Sequence, residues 1–256
     1  MSGDKVRIRR GFAAAADSYD RAAIVQREAG ERLLAGLQRD RVTERIIDLG
    51  CGTGHGLEML GARWPTAQLI ALDFARPMLL RLPEARRHLA VCADAEASPL
   101  ANASADLVWS NLTVQWCAPR RFAAEAARLL RHGGRLAVSS LGPNTFAELR
   151  RTFAGVDGYR HTIDFVAPAA LAGAFGTAGI SVTTVERITV VRHHENLRGL
   201  LDEVRDIGAN RVAGGARRTG LMGKAAWQEF AAAYEALRTD DGLPLSYDLV
   251  LLHGEK

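Results

Sequence analysis

Two acids and three glycines are the residues of this chain whose types and spacing point to chemistry. Ile46–Ile47–Asp48–Leu49 is a short apolar strand that runs into Gly50–Cys51–Gly52–Thr53–Gly54. About twenty residues later Leu69–Ile70–Ala71–Leu72–Asp73 is a second apolar strand ending in an acid. Strand, glycine turn, helix and strand make one nucleoside-binding βαβ unit, whose glycines let the backbone pass close to a ligand. Asp73, at the tip of the second strand, is placed to accept both hydroxyls of a ribose. A pyrophosphate loop spaces its glycines Gly-x-Gly-x-x-Gly and keeps negative charge away from the helix N-terminus. Here the spacing is Gly50, Gly52, Gly54, echoed by Gly56, and Asp48 stands two residues before the first glycine. That carboxylate repels a pyrophosphate and suits an ammonium group.

S-adenosylmethionine is a nucleoside with an ammonium on its tail, and the Asp48-to-Gly54 run with Asp73 resembles the class I methyltransferases. The resemblance implies an α/β, Rossmann-like fold: a seven-stranded, mostly parallel sheet with helices on both faces and a helical lid. It implies S-adenosylmethionine as methyl donor and no metal. Gly50, Gly52 and Gly54 then face the methionine moiety, with Asp48 near its ammonium and Asp73 on the ribose. Phe74 or Met78 packs on adenine. Asp94 is placed to accept from the adenine amino group, and Ala95 to offer its backbone N–H to the ring; the plainer alternative makes Asp94 a strand-end turn residue.

These residues need an alternating chain to position them, and the sequence supplies one. Strands are expected at Arg45–Leu49, Gln68–Asp73, Leu89–Ala93, Asp106–Ser110 and Arg135–Ser140. Helices are expected at Ala22–Leu37, at His55–Ala62, from Met78 behind Pro77, and from Pro119 through Leu130, where Gly133–Gly134 reads as the C-cap. Beyond Gly142–Pro143 the expected order is a short helix Asn144–Arg151, a helix Ala169–Ala178, and a long strand Ser181–Val191. Amphipathic helices Glu195–Ile207 and Lys224–Leu237 and a last strand Leu245–Leu252 follow. Residues 1–256 therefore form a single domain: a helical cap over about 1–40, the nucleoside-binding core at 41–142, an insert and helix over about 143–180, and a helical lid over about 195–242.

Composition narrows the class. The length suffices for one large core, no run of eighteen uncharged apolar residues spans a membrane, and the polar, basic start has no apolar signal region. Cys51, Cys92 and Cys117 are scattered in apolar sequence without metal-ligand spacing, which predicts reduced core thiols in a cytoplasmic protein. The net charge is +4, unevenly spread. Arg211, Arg217, Arg218 and Lys224 face no acid between Ile207 and Lys224, and five arginines between Arg120 and Arg135 face Glu125 alone. Either cluster is a solvated face or a site for an acidic or phosphorylated partner, because guanidinium binds carboxylate and phosphate bidentately.

The methyl acceptor is expected where the fourth strand runs into Ser110–Asn111–Leu112–Thr113–Val114–Gln115–Trp116. Asn111, Gln115 and Trp116 are the candidate catalytic residues there, against the plainer readings of Asn111 as a turn former and Trp116 as core. The Asn/Asp-Pro-Pro-aromatic run of base-amine methylation is missing, which argues against nucleic acid. No Ser-His-Asp or Cys-His order and no carboxylate pair is evident. Methyl transfer to an anion needs none of these, since orientation alone supplies on the order of 7–11 kcal/mol.

The flanking segments are more particular: Phe12 to Asp20, Asn111 to Cys117, Ser140 to Leu149, Val156–Asp157–Gly158–Tyr159, Ile207–Gly208–Ala209–Asn210 and Pro244 to Tyr247. Together they resemble the malonyl-acyl-carrier-protein O-methyltransferases of biotin synthesis, over about residues 8–254. The resemblance implies methylation of the free carboxylate of a malonyl thioester on acyl carrier protein, the ester serving as primer for pimeloyl synthesis. It places Tyr19 over the cofactor and acceptor, against a plainer role as core anchor, and supplies an acidic carrier as partner; the charge of Arg211, Arg217, Arg218 and Lys224 suits that partner, while no family motif assigns the individual cations. Three other functions share parts of the pattern. A quinone C-methyltransferase would favour an apolar acceptor mouth, a non-catalytic cofactor-binding protein would not need Asp48, Asp73 and all three glycines, and a dehydrogenase would carry a Tyr-x-x-x-Lys donor that is not evident.

Overall fold

A computed structural model describes residues 3–16, 19, 23–38, 41–84, 89–159, 161–206 and 222–256. Helices α1 (Gly3–Ala15) and α2 (Ile24–Ala35) precede a regular alternation: β1 (Arg45–Leu49), α3 (His55–Arg63), β2 (Gln68–Asp73), α4 (Arg76–Leu79), β3 (Ala90–Cys92) and β4 (Ala105–Ser110). A 3-10 turn, Val114–Trp116, then leads into α5 (Pro119–Leu129) and β5 (Leu130–Leu141). The remainder is α6 (Ala147–Ala154), α7 (Pro168–Thr177), β6 (Ser181–His194), α8 (Leu197–Asp206), α9 (Lys224–Glu235) and β7 (Leu243–Glu255).

The seven strands form one sheet in the order β3-β2-β1-β4-β5-β7-β6. The first five pair in parallel, while β7 lies antiparallel between β5 and β6. Alternation along the strands builds two cores on opposite faces. Ile47, Val108 and Val138 join Phe122 and Phe175 under α5 and α7, while Ile46, Leu107 and Ala137 join Leu33, Leu57 and Leu60 under α2 and α3. Near-continuous apolar runs are what a parallel strand covered on both faces requires. Asp48 and Trp109 are paired in register on β1 and β4. Both are buried, so a carboxylate stands in the sheet where packing alone would put an aliphatic side chain.

Three local expectations are corrected. Gly133–Gly134 does not cap a helix: α5 stops at Leu129, Leu130 is already extended, and β5 begins there. The pairing passes from Ala105 opposite Leu130 to Leu107 opposite Arg135, and Gly133, at φ 74°, lies within this bulge. Its N–H donates to Lys256 O at 2.7 Å, so the glycines let the strand fold back and still pair with the C-terminus. Second, α6 starts at Ala147 rather than Asn144. Residues 142–146 are held by the buried Asp248, which accepts from Asn144 N–H at 3.0 Å and pairs with Arg187 at 2.7 Å. Third, Cys92 is exposed on the edge strand β3 rather than in the core, while Cys51 is buried and Cys117 half-buried.

Among the described residues no helix is long and apolar enough to cross a membrane, and no cluster of His, Cys, Asp and Glu has a metal-holding arrangement.

Candidate active site

The carboxyl ends of β1, β2, β3 and β4 open into two adjoining cavities, as expected at the point where strand order reverses. The first is lined by Gly50, Gly52, Asp73, Phe74, Met78, Asp94 and Ala95, with Lys5, Phe12, Tyr19, Leu112, Thr113, Trp116 and Cys117 closing it. The second holds Asp48 and Asn111 with Gln26, Arg27, His55, Gly56 and Trp109. Tyr19, Gly50 and Gly52 line both.

Geometry in the first cavity follows from the loop. Gly50 and Gly52 take φ of 81° and 54°, a region that favours glycine. A Cβ on Gly50 would run into the Thr113 side chain. Asp73 is held by the same loop: Gly52 N–H donates to its Oδ2 at 3.0 Å and Ala75 N–H to its Oδ1 at 2.8 Å. Burial raises its pKa to about 6, with the backbone N–H groups of Ala75, Gly52 and Phe74 pulling the other way. A carboxylate buried in this way accepts strongly from ligand hydroxyls, which return the hydrogen bonds that water would have made. Phe12 gathers an aromatic wall, its ring centroid 6.3 Å from Phe74, 5.6 Å from Trp116 and 6.2 Å from Tyr19. Asp94 is engaged by the N-terminal helix, Lys5 Nζ lying 2.6 Å from its Oδ2 and 2.7 Å from Glu96 Oε1. Burial lowers the Lys5 pKa, and its hydrogen bonds to Asp94 and Glu96 outweigh that and raise it.

The second cavity has the chemistry of an amino-acid tail. Asp48 is 2% exposed, and burial, joined by the charge of Asp73, pushes its pKa well up. A ligand ammonium beside it restores the charged form. Gln26 Oε1, His55 Nε2 and Trp109 Nε1 are buried without a protein partner, an unusual concentration in one place. Gly56 leaves the room: a Cβ there would stand 2.8 Å from Asp48 Oδ2 and 3.1 Å from Trp109 Nε1. One buried acid, Asp48, one amide oxygen and several N–H donors suit a zwitterion carrying an ammonium and a carboxylate, while the second acid of the lining, Glu58, is exposed and lies beside His55. The two cavities together fit the nucleoside and methionine halves of S-adenosylmethionine.

The expected residues fall into four groups. Tyr19, Gly50, Gly52, Asp73, Phe74, Met78, Asp94, Ala95 and Trp116 are brought together in the first cavity, and Asp48 and Asn111 meet in the second. Gly54 and Gln115 line neither. Gly54, at φ 100°, is the N-cap of α3, and a Cβ there would collide with Leu82; Gln115 Nε2 turns back to Leu112 O at 2.7 Å. Lys224 is exposed at the start of α9, and Arg211, Arg217 and Arg218 lie outside the described residues. Asn111 is fully engaged: its Oδ1 accepts from the buried Ser139 Oγ at 2.6 Å and its Nδ2 donates to Gln26 O at 2.7 Å. The Ser139 hydroxyl also accepts from Leu112 N–H at 2.9 Å, fixing Leu112 in its left-handed conformation at φ 48°. Lys5, Phe12, Gln26, Arg27, His55 and Trp109 carried no sequence signal for the site. Their partners lie far off in the chain, 89 residues away for Lys5 and Asp94.

Comparison with known proteins gives the family and the fold. Residues 47–138 match the family described as Methyltransferase domain. A malonyl-(acyl-carrier protein) O-methyltransferase of Dechloromonas aromatica (strain RCB) is 43% identical over 252 residues, covering 98% of this chain and 95% of that protein. A biotin biosynthesis bifunctional protein of Cellvibrio japonicus (strain Ueda107) is 38% identical over 252 residues, 97% of this chain and 50% of that protein. Among solved structures, geranyl diphosphate C-methyltransferase from Streptomyces coelicolor A3(2), in complex with Mg2+, geranyl diphosphate and S-adenosyl-L-homocysteine, superposes with a TM-score of 0.52. It is 15% identical, with 88% of this chain and 77% of that one covered, a likeness of fold alone.

Proposed function

This chain belongs to the malonyl-acyl-carrier-protein O-methyltransferases, and from that premise we propose how its residues methylate the free carboxylate of a malonyl thioester on acyl carrier protein. S-adenosylmethionine supplies an electrophilic methyl on a sulfonium. Asp73 accepts from the ribose hydroxyls, the aromatic wall of Phe12, Phe74 and Trp116 encloses the base, and Asp48 with Gln26 takes the ammonium. Arg27, His55 and Trp109 bring their N–H groups to the methionine carboxylate.

The observation that carries the reading is the junction of the two cavities. Tyr19, Gly50 and Gly52 are common to both, and none of them is a carboxylate, imidazole or amine. Cys117, nearby, has its pKa pushed by burial to about 12 and stays a thiol. An acceptor that arrives already ionised needs no proton removed, and a malonyl carboxylate does so at neutral pH. The chain then contributes orientation and exclusion of water. The Tyr19 hydroxyl orients the acceptor, while the Ser139–Asn111–Gln26 chain of hydrogen bonds fixes the wall behind it.

The product would be the methyl ester that primes pimeloyl synthesis for biotin. The test uses S-adenosylmethionine labelled in its methyl group with malonyl- and acetyl-carrier protein. Label should enter the malonyl substrate alone and be released as methanol by mild base. Label resistant to base, or equal labelling of the acetyl form, would exclude a carboxyl ester.

A further inference from the structure

We propose that the acidic carrier protein docks on a basic rim made by α1 and the first turn of α5, beside the mouth of the first cavity; this rests on the carrier-protein reading above. Helix α1 carries Lys5, Arg7, Arg9 and Arg10 against Asp4 alone. It is held against the start of α5 by a continuous set of contacts. Lys5 binds Asp94 and Glu96, Glu96 Oε1 accepts from Ala118 N–H at 2.8 Å, and Phe12 packs on Trp116. Arg120 and Arg121 follow Ala118 directly in the first turn of α5.

Arg9, Arg10, Arg120 and Arg121 are all exposed, and among the described residues none of the four has an ion pair or side-chain hydrogen bond. The acids between these groups, Asp94 and Glu96, are both answered by Lys5, and Glu125 is closed on Arg128 at 2.6 Å. The described lid helices have the opposite balance. Helix α8 sets Arg198 and Arg205 against Asp202, Glu203 and Asp206, and α9 sets Lys224 against Glu229 and Glu235. An acidic surface is attracted to the rim and gains nothing from those helices.

Guanidinium groups pair bidentately with carboxylates and with the phosphodiester at the root of a carrier's thioester arm. Lys5, Phe12, Trp116 and Cys117 line the cavity on the side the rim borders, so an arm rooted there enters beside them. Charges at such a rim set association rate and salt dependence more than chemistry.

The experiment compares R9E/R10E, R120E/R121E and the milder R9A/R10A with R217E/R218E, on malonyl-carrier protein and on malonyl-pantetheine, which has the arm without the protein. Each rim reversal should raise KM for the carrier substrate about ten-fold or more and flatten its salt dependence. The alanine pair should do so less, and malonyl-pantetheine kinetics and melting temperature should not move. Wild-type KM in all three rim variants, with KM raised in R217E/R218E, would overturn the rim and place docking on the segment that carries Arg217 and Arg218. If wild-type enzyme methylates neither substrate, the activity itself has failed and the docking proposal falls with it.

Discussion

At the residue scale, Asp73, the proposed acceptor for the ribose hydroxyls, shows how a binding group trades against stability. Its pKa stands at about 6 against an ordinary 3.8 because it is buried before any ligand arrives. Between those two values the folded, ligand-free chain holds a proton that the unfolded chain has released. Ligand-free stability therefore falls as pH rises through that window, by up to about 3 kcal/mol, and the loss is complete above it. Asp73→Asn removes the buried charge and should melt no lower than wild type at pH 8 in the absence of cofactor. The same variant loses a charged acceptor, so S-adenosylmethionine should bind ten-fold or more weakly by calorimetry. A variant that melts clearly lower and binds normally would contradict both statements. Tyr19→Phe makes a complementary case: turnover on the malonyl substrate should fall while the melting temperature stays, since only a hydroxyl is removed from a half-buried ring. Unchanged turnover would leave Tyr19 as a packing residue.

At the element scale, the glycine loop and α3 form one device, and Gly56 is its most testable member. It lies in the first turn of α3, where Ala is the better helix former by about 1 kcal/mol. Yet the added methyl would press on Asp48 and Trp109. The helix gain and the crowding of that buried pair oppose each other, so Gly56→Ala should lower the melting temperature by no more than a few degrees while KM for S-adenosylmethionine rises about ten-fold, and KM for the malonyl substrate stays nearly constant. Equal effects on both substrates would show general damage. Strands β1 and β2 were legible to the residue because buried parallel strands are apolar runs, here carrying an acid at or next to the last position. Gly133–Gly134 was not, because a glycine pair after a helix signals a C-cap and a bulge alike, and only pairing with Lys256, over a hundred residues on, decides between them. The start of α6 was hidden for the same reason: its cause is Asp248, on the last strand.

At the scale of the whole molecule, the seven-stranded, mostly parallel sheet followed from the family resemblance and the proposed nucleoside-binding residues from local motifs, whereas the strand order and the walls of the site come from chain segments far apart. Asp48, Gly50, Gly52 and Asp73 announce themselves by spacing. Lys5, Phe12 and Gln26 reach the same cavities from the N-terminal helices only because the chain folds back over the strand ends. A ligand bridging these parts should stabilise them together: cofactor at one hundred times its Kd adds about 2.7 kcal/mol. A single unfolding transition shifted upward as a unit is expected in calorimetry, and a shift confined to part of a split transition would mean that α1 and α2 are not coupled to the site. The central claim, methyl transfer to a malonyl carboxylate on a carrier protein, is tested most directly by mass spectrometry of malonyl-acyl carrier protein after incubation with this enzyme and S-adenosylmethionine. The expected result is a gain of one methyl, located on the malonyl carboxyl by fragmentation, with S-adenosylhomocysteine formed in equal amount. An unmodified malonyl carrier in the presence of enzyme that binds the cofactor, or a methyl located on carbon, would contradict it.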